Sequence, residues 1–180
     1  DRAARPPVPV ILDTDIGGDI DDTWALAFLL GRPEVDLRLI VTAFDDTEVK
    51  TRLVAKMLAF AGRTEIPIGT GVRTSAEPIN QAKWLGDFTL DGYKGRVYSD
   101  GVGAMIDCIR KSEAPVTLLA IGPQTNLAAA LARDPEVARK ARVVAMAGSV
   151  EIGYGGSSRR DAEVNVKSDI KSIRAVLAAP

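Results

Sequence analysis

The sequence has no histidine and a single cysteine, Cys108, in 180 residues. Without histidine, Ser-His-Asp and Cys-His catalysis within this chain are excluded, and so is zinc held by imidazole. One cysteine excludes an intrachain disulfide framework and a cysteine-rich zinc site. Cys108 lies in "GAMIDCIRK", a helical-looking stretch, and reads as a small buried apolar residue. No apolar run approaches the roughly 18 residues of a membrane span. A charge of one sign is missing too: 23 Lys and Arg stand against 24 Asp and Glu, a net of −1. That balance offers no broad basic field for nucleic acid or an anionic membrane. Acid–base chemistry is left to carboxylates, lysine, tyrosine or a bound ion.

What is present is a globular core. The hydrophobic fraction is 46%, and short β-branched runs alternate with helical patterns. "VPVILDT" reads as a strand buried on both faces, followed by a helix in "DDTWALAFLLG". "VDLRLIVTAF" is a second strand. "DDTEVKTRLVAKMLAFAG" is a second helix, with Asp45 and Glu48 as a capping box and Gly62 as its C-cap. "IPIGTG", "PVTLLAIG" and "ARVVAMAG" are three more strands. "SDGVGAMIDCIRKS", "PQTNLAAALARD" and "SDIKSIRAVLAA" are three more helices. Five strands alternating with helices predict an open α/β sheet, mainly parallel, with helices on both faces. Residues 71–98 and 148–162 read as long irregular stretches. Residues 1–7 read as a loose, Pro-rich leader and residues 8–180 as the domain. The chain opens on Asp1 rather than Met, which fits a processed or engineered N-terminus and leaves the compartment open between cytoplasm and export.

One stretch resists a purely structural reading. "VILDTDIGGDIDDTWALAFLL" places Asp13, Asp15, Asp19, Asp21 and Asp22 within ten residues, directly after an apolar run. Asp13 and Asp15 are two apart, so they point to the same side of an extended chain. Asp21 and Asp22 open a helix, where the macrodipole favours negative charge. Gly17 and Gly18 permit a tight turn between the pairs. Capping explains one or two of these acids and not five. In open α/β sheets ligands bind beyond the carboxyl ends of strands, where this cluster sits. A hard cation relieves the repulsion, and with no soft ligands nearby Ca²⁺ or Mg²⁺ fits best. An EF-hand fails, because Trp24 falls where the bidentate Glu belongs. A dinucleotide fingerprint fails too, since "GVGAMI" has no third glycine.

"DTDIGGDIDDTWAL" resembles the signature of the inosine-uridine type of nucleoside hydrolases, with an Asp-x-Asp element, a glycine turn and an Asp-Asp pair opening a helix. The turn is two residues longer here than in the best-known members. "TAFDDTEVKTRLVAKMLAFAGR", "AIGPQTNLAAAL", "VVAMAGSV" and "DAEVNVKSD" follow in the family's order. The resemblance runs from about Val8 to the end and implies a Rossmann-like topology. It implies hydrolysis of the N-glycosidic bond of ribonucleosides by a calcium-bound water. By that resemblance Asp15 ligates Ca²⁺ and is the general base, and Asp22 is a second ligand. Ile121 offers its backbone carbonyl to the metal. Asp21, Asp46, Glu163 and Asn165 hold the ribose; Asp13 and Asn126 support the site. Lys167 and Asp169 read as solvated helix-start charges. Many relatives in the family are dimers or tetramers, so a homo-oligomer is compatible. They are also much longer. A further aspartate ligand and a base-side histidine belong to a C-terminal part this chain lacks, so low activity is expected of these 180 residues alone. Trp84 or a tyrosine of residues 71–98 is a candidate to stack on the base.

Two other readings share these residues. A haloacid-dehalogenase-like, Mg²⁺-dependent phosphatase would use Asp13 as nucleophile and Asp15 as acid–base. It leaves Asp21, Asp22 and "AEVNV" unexplained, and Gly17 departs from its signature. A non-catalytic, calcium-dependent nucleoside- or sugar-binding module would use the same cluster without turnover.

Overall fold

The computed structural model describes residues 6–179. The expected leader therefore falls largely outside the described residues. Among them, β1 (Val8–Thr14) is followed by α1 (Asp21–Leu30), β2 (Val35–Thr42), α2 (Thr47–Ala61), β3 (Ile68–Thr70) and β4 (Val97–Tyr98). Then come α3 (Gly101–Lys111), β5 (Val116–Ala120), α4 (Thr125–Arg133), β6 (Ala141–Ala145), α5 (Val164–Ser168) and α6 (Ile170–Leu177). The strands form one sheet in the order β4-β3-β2-β1-β5-β6, and every pairing is parallel.

Alternation of side chains along the strands builds two cores. Val10 and Leu12 of β1 join Leu37, Ile40 and Ile68 beneath Leu26 of α1 and Val54, Ala55 and Leu58 of α2. Ile11, Leu39, Val41, Val116 and Leu118 face the other way, under Met105, Ile106 and Ile109 of α3 and Leu127 and Ala130 of α4. Strands buried on both faces carry continuous apolar runs, as β1 does. The β1–β2 register slips between Val10 and Ile11, so Arg38 is passed over as a bulge.

The chain runs outward from β1 to β4, then returns to place β5 on the other flank of β1. This reversal is the topological switch point, and the crevice beyond it lies between the ends of β1 and β5. The acidic turn leaves β1 there.

Three expectations need correction. A sixth strand, β4, lies in the stretch read as irregular; it pairs Val97 and Tyr98 with Ile68 and Gly69, and two residues are too few to show a period. The cap of α2 is Asp46, whose side chain accepts from Val49 N, not Asp45. Phe44 and Asp45 both adopt left-handed backbone (φ 59° and 50°), so the chain turns there and the helix starts one residue later. "AEVNV" contains a short helix, α5, capped by Glu163. Asp169 does stand at a helix start, capping α6 by accepting from Ser172 N, but it is half-buried rather than solvated and also accepts from Thr125 Oγ1 at 2.7 Å. Cys108 is half-buried against the α3 core, and burial pushes its thiol pKa up.

Candidate active site

Asp13 is 1% exposed, near the end of β1. Its Oδ1 accepts from Asn126 Nδ2 at 2.8 Å. The same amide donates to the Thr42 carbonyl at 3.0 Å, and Asn126 Oδ1 accepts from Val72 N at 2.8 Å. Asn126, at the start of α4, thus ties together the ends of β1 and β2 and the chain leaving β3. The Asp13 Oδ2 atom is buried with no partner among the described residues. Burial, helped by the nearby Asp15 charge and opposed by Asn126, pushes the Asp13 pKa up to about 7.

Asp15 and Asp22 form a pair. Asp22 is the second residue of α1 and is buried. Thr14 Oγ1 donates to its Oδ2, and the same hydroxyl accepts from Ile16 N at 3.2 Å. Burial raises both carboxyls, and the repulsion between them raises Asp22 further, to about 8. Both carboxyls are thus pushed toward the protonated form. Two carboxylates this close cannot both ionise without a compensating cation.

Part of that compensation is built in. Lys50 is 1% exposed on the inner face of α2. Its Nζ donates to the Asp15 carbonyl at 2.8 Å and the Ala43 carbonyl at 3.2 Å, and lies 3.7 Å from Asp45 Oδ2. The Lys50 charge holds the Asp15 pKa down against burial, while burial lowers that of Lys50 itself.

The other wall comes from β5. Ile121 N donates to the Asp13 carbonyl at 2.9 Å, which carries the strand pairing past its formal end. A Cβ on Gly122 would lie 2.9 Å from Asp15 Cβ and Cγ, so only glycine permits this approach. The Ile121 carbonyl accepts from Asn165 Nδ2 at 2.8 Å, and Asn165 also donates to the Met146 carbonyl at 2.9 Å. A carbonyl oxygen has two lone pairs, so Ile121 keeps one free. Glu163 accepts from Asn165 N, Val166 N and Gly148 N.

Asp13, Asp15, Asp22, Ile121, Asn126 and Asn165 therefore belong to one connected network, with Glu163 adjoining it through Asn165. Asp21 is exposed on the first turn of α1, on the rim of the cluster. Asp46 caps α2 and pairs with Arg73 at 2.6 Å. Trp84, considered for base stacking, is engaged by Lys56, whose Nζ lies 4.8 Å from its ring centroid, and lines an apolar groove between α1 and α2. Sequence reasoning missed Lys50, Thr14 and Gly122. Lys50 left a signal: it stands three and four residues before Leu53 and Val54, on the apolar face of α2.

The donor set suits a hard cation by its chemistry, being oxygen only: two carboxylates and a free carbonyl lone pair. The orphaned Asp13 Oδ2 and the upward shifts of Asp15 and Asp22 also mark a deficit of positive charge. In number the set falls short. Among the described residues no group of three or more His, Cys, Asp or Glu could hold a metal, whereas Ca²⁺ takes six to eight oxygens. Water, substrate hydroxyls or further protein oxygens would have to fill the shell.

The family model of the inosine-uridine preferring nucleoside hydrolases matches residues 10–180. The chain belongs to that family. It is 39% identical over 158 residues to the pyrimidine-specific ribonucleoside hydrolase RihA of Enterobacter sp. (strain 638), covering 81% of this chain and 50% of the relative. It is 34% identical over 172 residues to the non-specific ribonucleoside hydrolase RihC of Escherichia coli, covering 90% and 55%. This nucleoside hydrolase chain thus spans about half the length of the curated relatives it matches. Among solved structures it superimposes on a plant nucleoside hydrolase with a TM-score of 0.79 and 27% identity, over 97% of this chain and 57% of that one. The purine-preferring ribonucleoside hydrolase of Gardnerella vaginalis shares the fold with a TM-score of 0.73 at 24% identity, over 95% and 58%.

Proposed function

We propose that the protein hydrolyses the N-glycosidic bond of ribonucleosides, with Asp15 taking the proton of the attacking water. The observation that carries the reading is the Asp15–Asp22 pair at the switch point, walled by Gly122 and the Ile121 carbonyl. Attack of water on C1′ forms a C–O bond as the C–N bond to the base breaks. Asp15 accepts one proton, and the base leaves with the bond electrons. By analogy with glycoside hydrolysis, the sugar passes through an oxocarbenium-like state. Asp15, Asp22 and the exposed Asp21 favour that positive charge electrostatically. Asp21, Asp46, Glu163 and Asn165 are the proposed contacts to the ribose hydroxyls. Ca²⁺, held by Asp15, Asp22 and the Ile121 carbonyl, would lower the pKa of a water and orient it. The match of residues 10–180 to the family model, over about half the length of the curated relatives, supports reading residues 8–180 as one part of the family's catalytic domain.

The phosphatase reading needs a reachable nucleophile, and Asp13 is 1% exposed with one oxygen held by Asn126. The binding-module reading uses the same cluster and differs only in turnover. Ribose release from inosine and uridine, followed as reducing sugar with the full natural protein, separates the three. Release with either nucleoside, and none of phosphate from an aryl phosphate, is expected. Tight nucleoside binding with no release would replace the hydrolase by the binding module.

A further inference from the structure

The turn that carries the acids is held by a segment far away in sequence. Residues Asn80–Leu85 form a short 3-10 turn inside the 71–98 excursion. Three consecutive carbonyls of the acidic turn accept hydrogen bonds from it. Gln81 N donates to Gly17 O at 3.0 Å, Asn80 Nδ2 to Gly18 O at 2.9 Å, and Gln81 Nε2 to Asp19 O. Gln81 Oε1 in turn accepts from Thr23 Oγ1, in the first turn of α1, at 2.8 Å. One glutamine therefore grips both sides of Asp21 and Asp22.

The grip is needed because α1 lacks its own. Its N-cap position is Ile20, which offers no side-chain cap. Gly17 and Gly18 leave the backbone before it loose. Ionised, Asp15 and Asp22 push each other apart. A free turn would yield to that push.

The brace is itself anchored. Ile79 and Leu85 are buried with Leu53 of α2. Lys56 Nζ donates to the Leu85 carbonyl at 3.0 Å and to the Trp84 carbonyl. Contact is so close that a Cβ on Gly17 would lie 2.7 Å from Ile79 Cγ2 and Leu53 Cδ1, at a backbone φ of +102°. Helix α2 thus holds both members of the acidic pair, Asp15 through Lys50 and Asp22 through the Asn80–Leu85 turn.

We propose that Gln81, assisted by Asn80, is a positioning residue that sets Asp21 and Asp22 in register with Asp15. This rests on the reading of the cluster as the reaction site. Removing outer partners of a site typically costs about 10–100-fold in metal affinity or activity. Gln81→Ala in the full natural protein is expected to lower kcat/KM for uridine by about that factor, mostly in kcat. Hydrogen exchange at the amides of residues 17–22 should quicken in the same variant, while the melting temperature barely moves. Thr23→Val, which keeps shape and removes only the hydroxyl donor, should reproduce part of the loss should Gln81→Ala fold poorly. Wild-type turnover with unchanged kcat/KM in both variants would overturn the brace and leave the hydrolase reading intact. Lost activity with unchanged exchange in the turn would also overturn it, since Gln81 would then act otherwise. A wild-type protein inert toward nucleosides would overturn the reaction reading itself, and the positioning role with it.

Discussion

The Lys50 ammonium donates to the backbone carbonyl of Asp15 at 2.8 Å from a site that is 1% exposed. A cation is buried directly under the first acid of the pair. It bonds two carbonyls and lies 3.7 Å from Asp45 Oδ2, and its charge opposes that of the carboxylates above.

Lys50→Met should therefore be costly although methionine fills much of the space. Removing one partner of a buried charge network costs about 3–5 kcal/mol, and the Asp15 and Ala43 carbonyls lose their donor too. A shift of the urea midpoint with unchanged m would show the loss. Lys50→Arg should not rescue it, because a planar fork cannot take the place of a compact ammonium there. Stability within about 1 kcal/mol of wild type would show that Lys50 is a bystander.

Without metal, stability should depend on pH in an unusual direction. Asp13 and Asp22 have folded pKa values raised to about 7 and about 8, above the ordinary aspartate value, chiefly by burial. Between the unfolded and folded values the native state holds more protons, so stability falls as pH rises. The contribution is complete below about pH 4 and is lost on passing about 7 to 8. Asp100, held low by Gly103 N and Arg133, works the other way in strong acid. Chelated protein should thus melt highest near pH 5 and progressively lower toward pH 8.5. Millimolar Ca²⁺ should restore the loss at pH 8 by favouring the ionised pair. A melting temperature that rises from pH 5 to 8 in chelator would contradict the assignment.

Asn165→Ala tests the far wall. Its amide bridges the carbonyls that follow β5 and β6, at Ile121 and Met146. Leaving a buried polar group unsatisfied costs about 1–3 kcal/mol. A loss of that size is expected in thermal unfolding, together with a raised KM for uridine if this wall holds the ribose as proposed. A stability loss with KM unchanged would confine Asn165 to structure.

Much of the frame was legible because it is local. β1 is a continuous apolar run, α2 has a helical period, and five aspartates after a strand have few structural explanations. Other features were hidden for stated reasons. β4 is two residues long, too short for any pattern. Asp46 rather than Asp45 caps α2 because Phe44 and Asp45 turn left-handed, which neither residue type announces. Gln81 meets Asp19 and Thr23 across about 60 positions of sequence, and such pairing is written in the fold alone. Lys50 sat in plain view on an apolar helix face, and only its neighbours Asp15 and Ala43 reveal why a charge is there.

Asp15→Asn asks whether Asp15 receives the proton of the attacking water, as proposed. The amide keeps the shape and an oxygen toward a cation, and loses the capacity to accept the proton. Loss of a general base typically costs about 10²–10⁴-fold. Single-turnover release of ribose from uridine by the full natural protein should fall by that factor, while nucleoside affinity by calorimetry stays within a few-fold of wild type. Release at a near-normal rate would remove Asp15 from that role, because another group would then have to be the base.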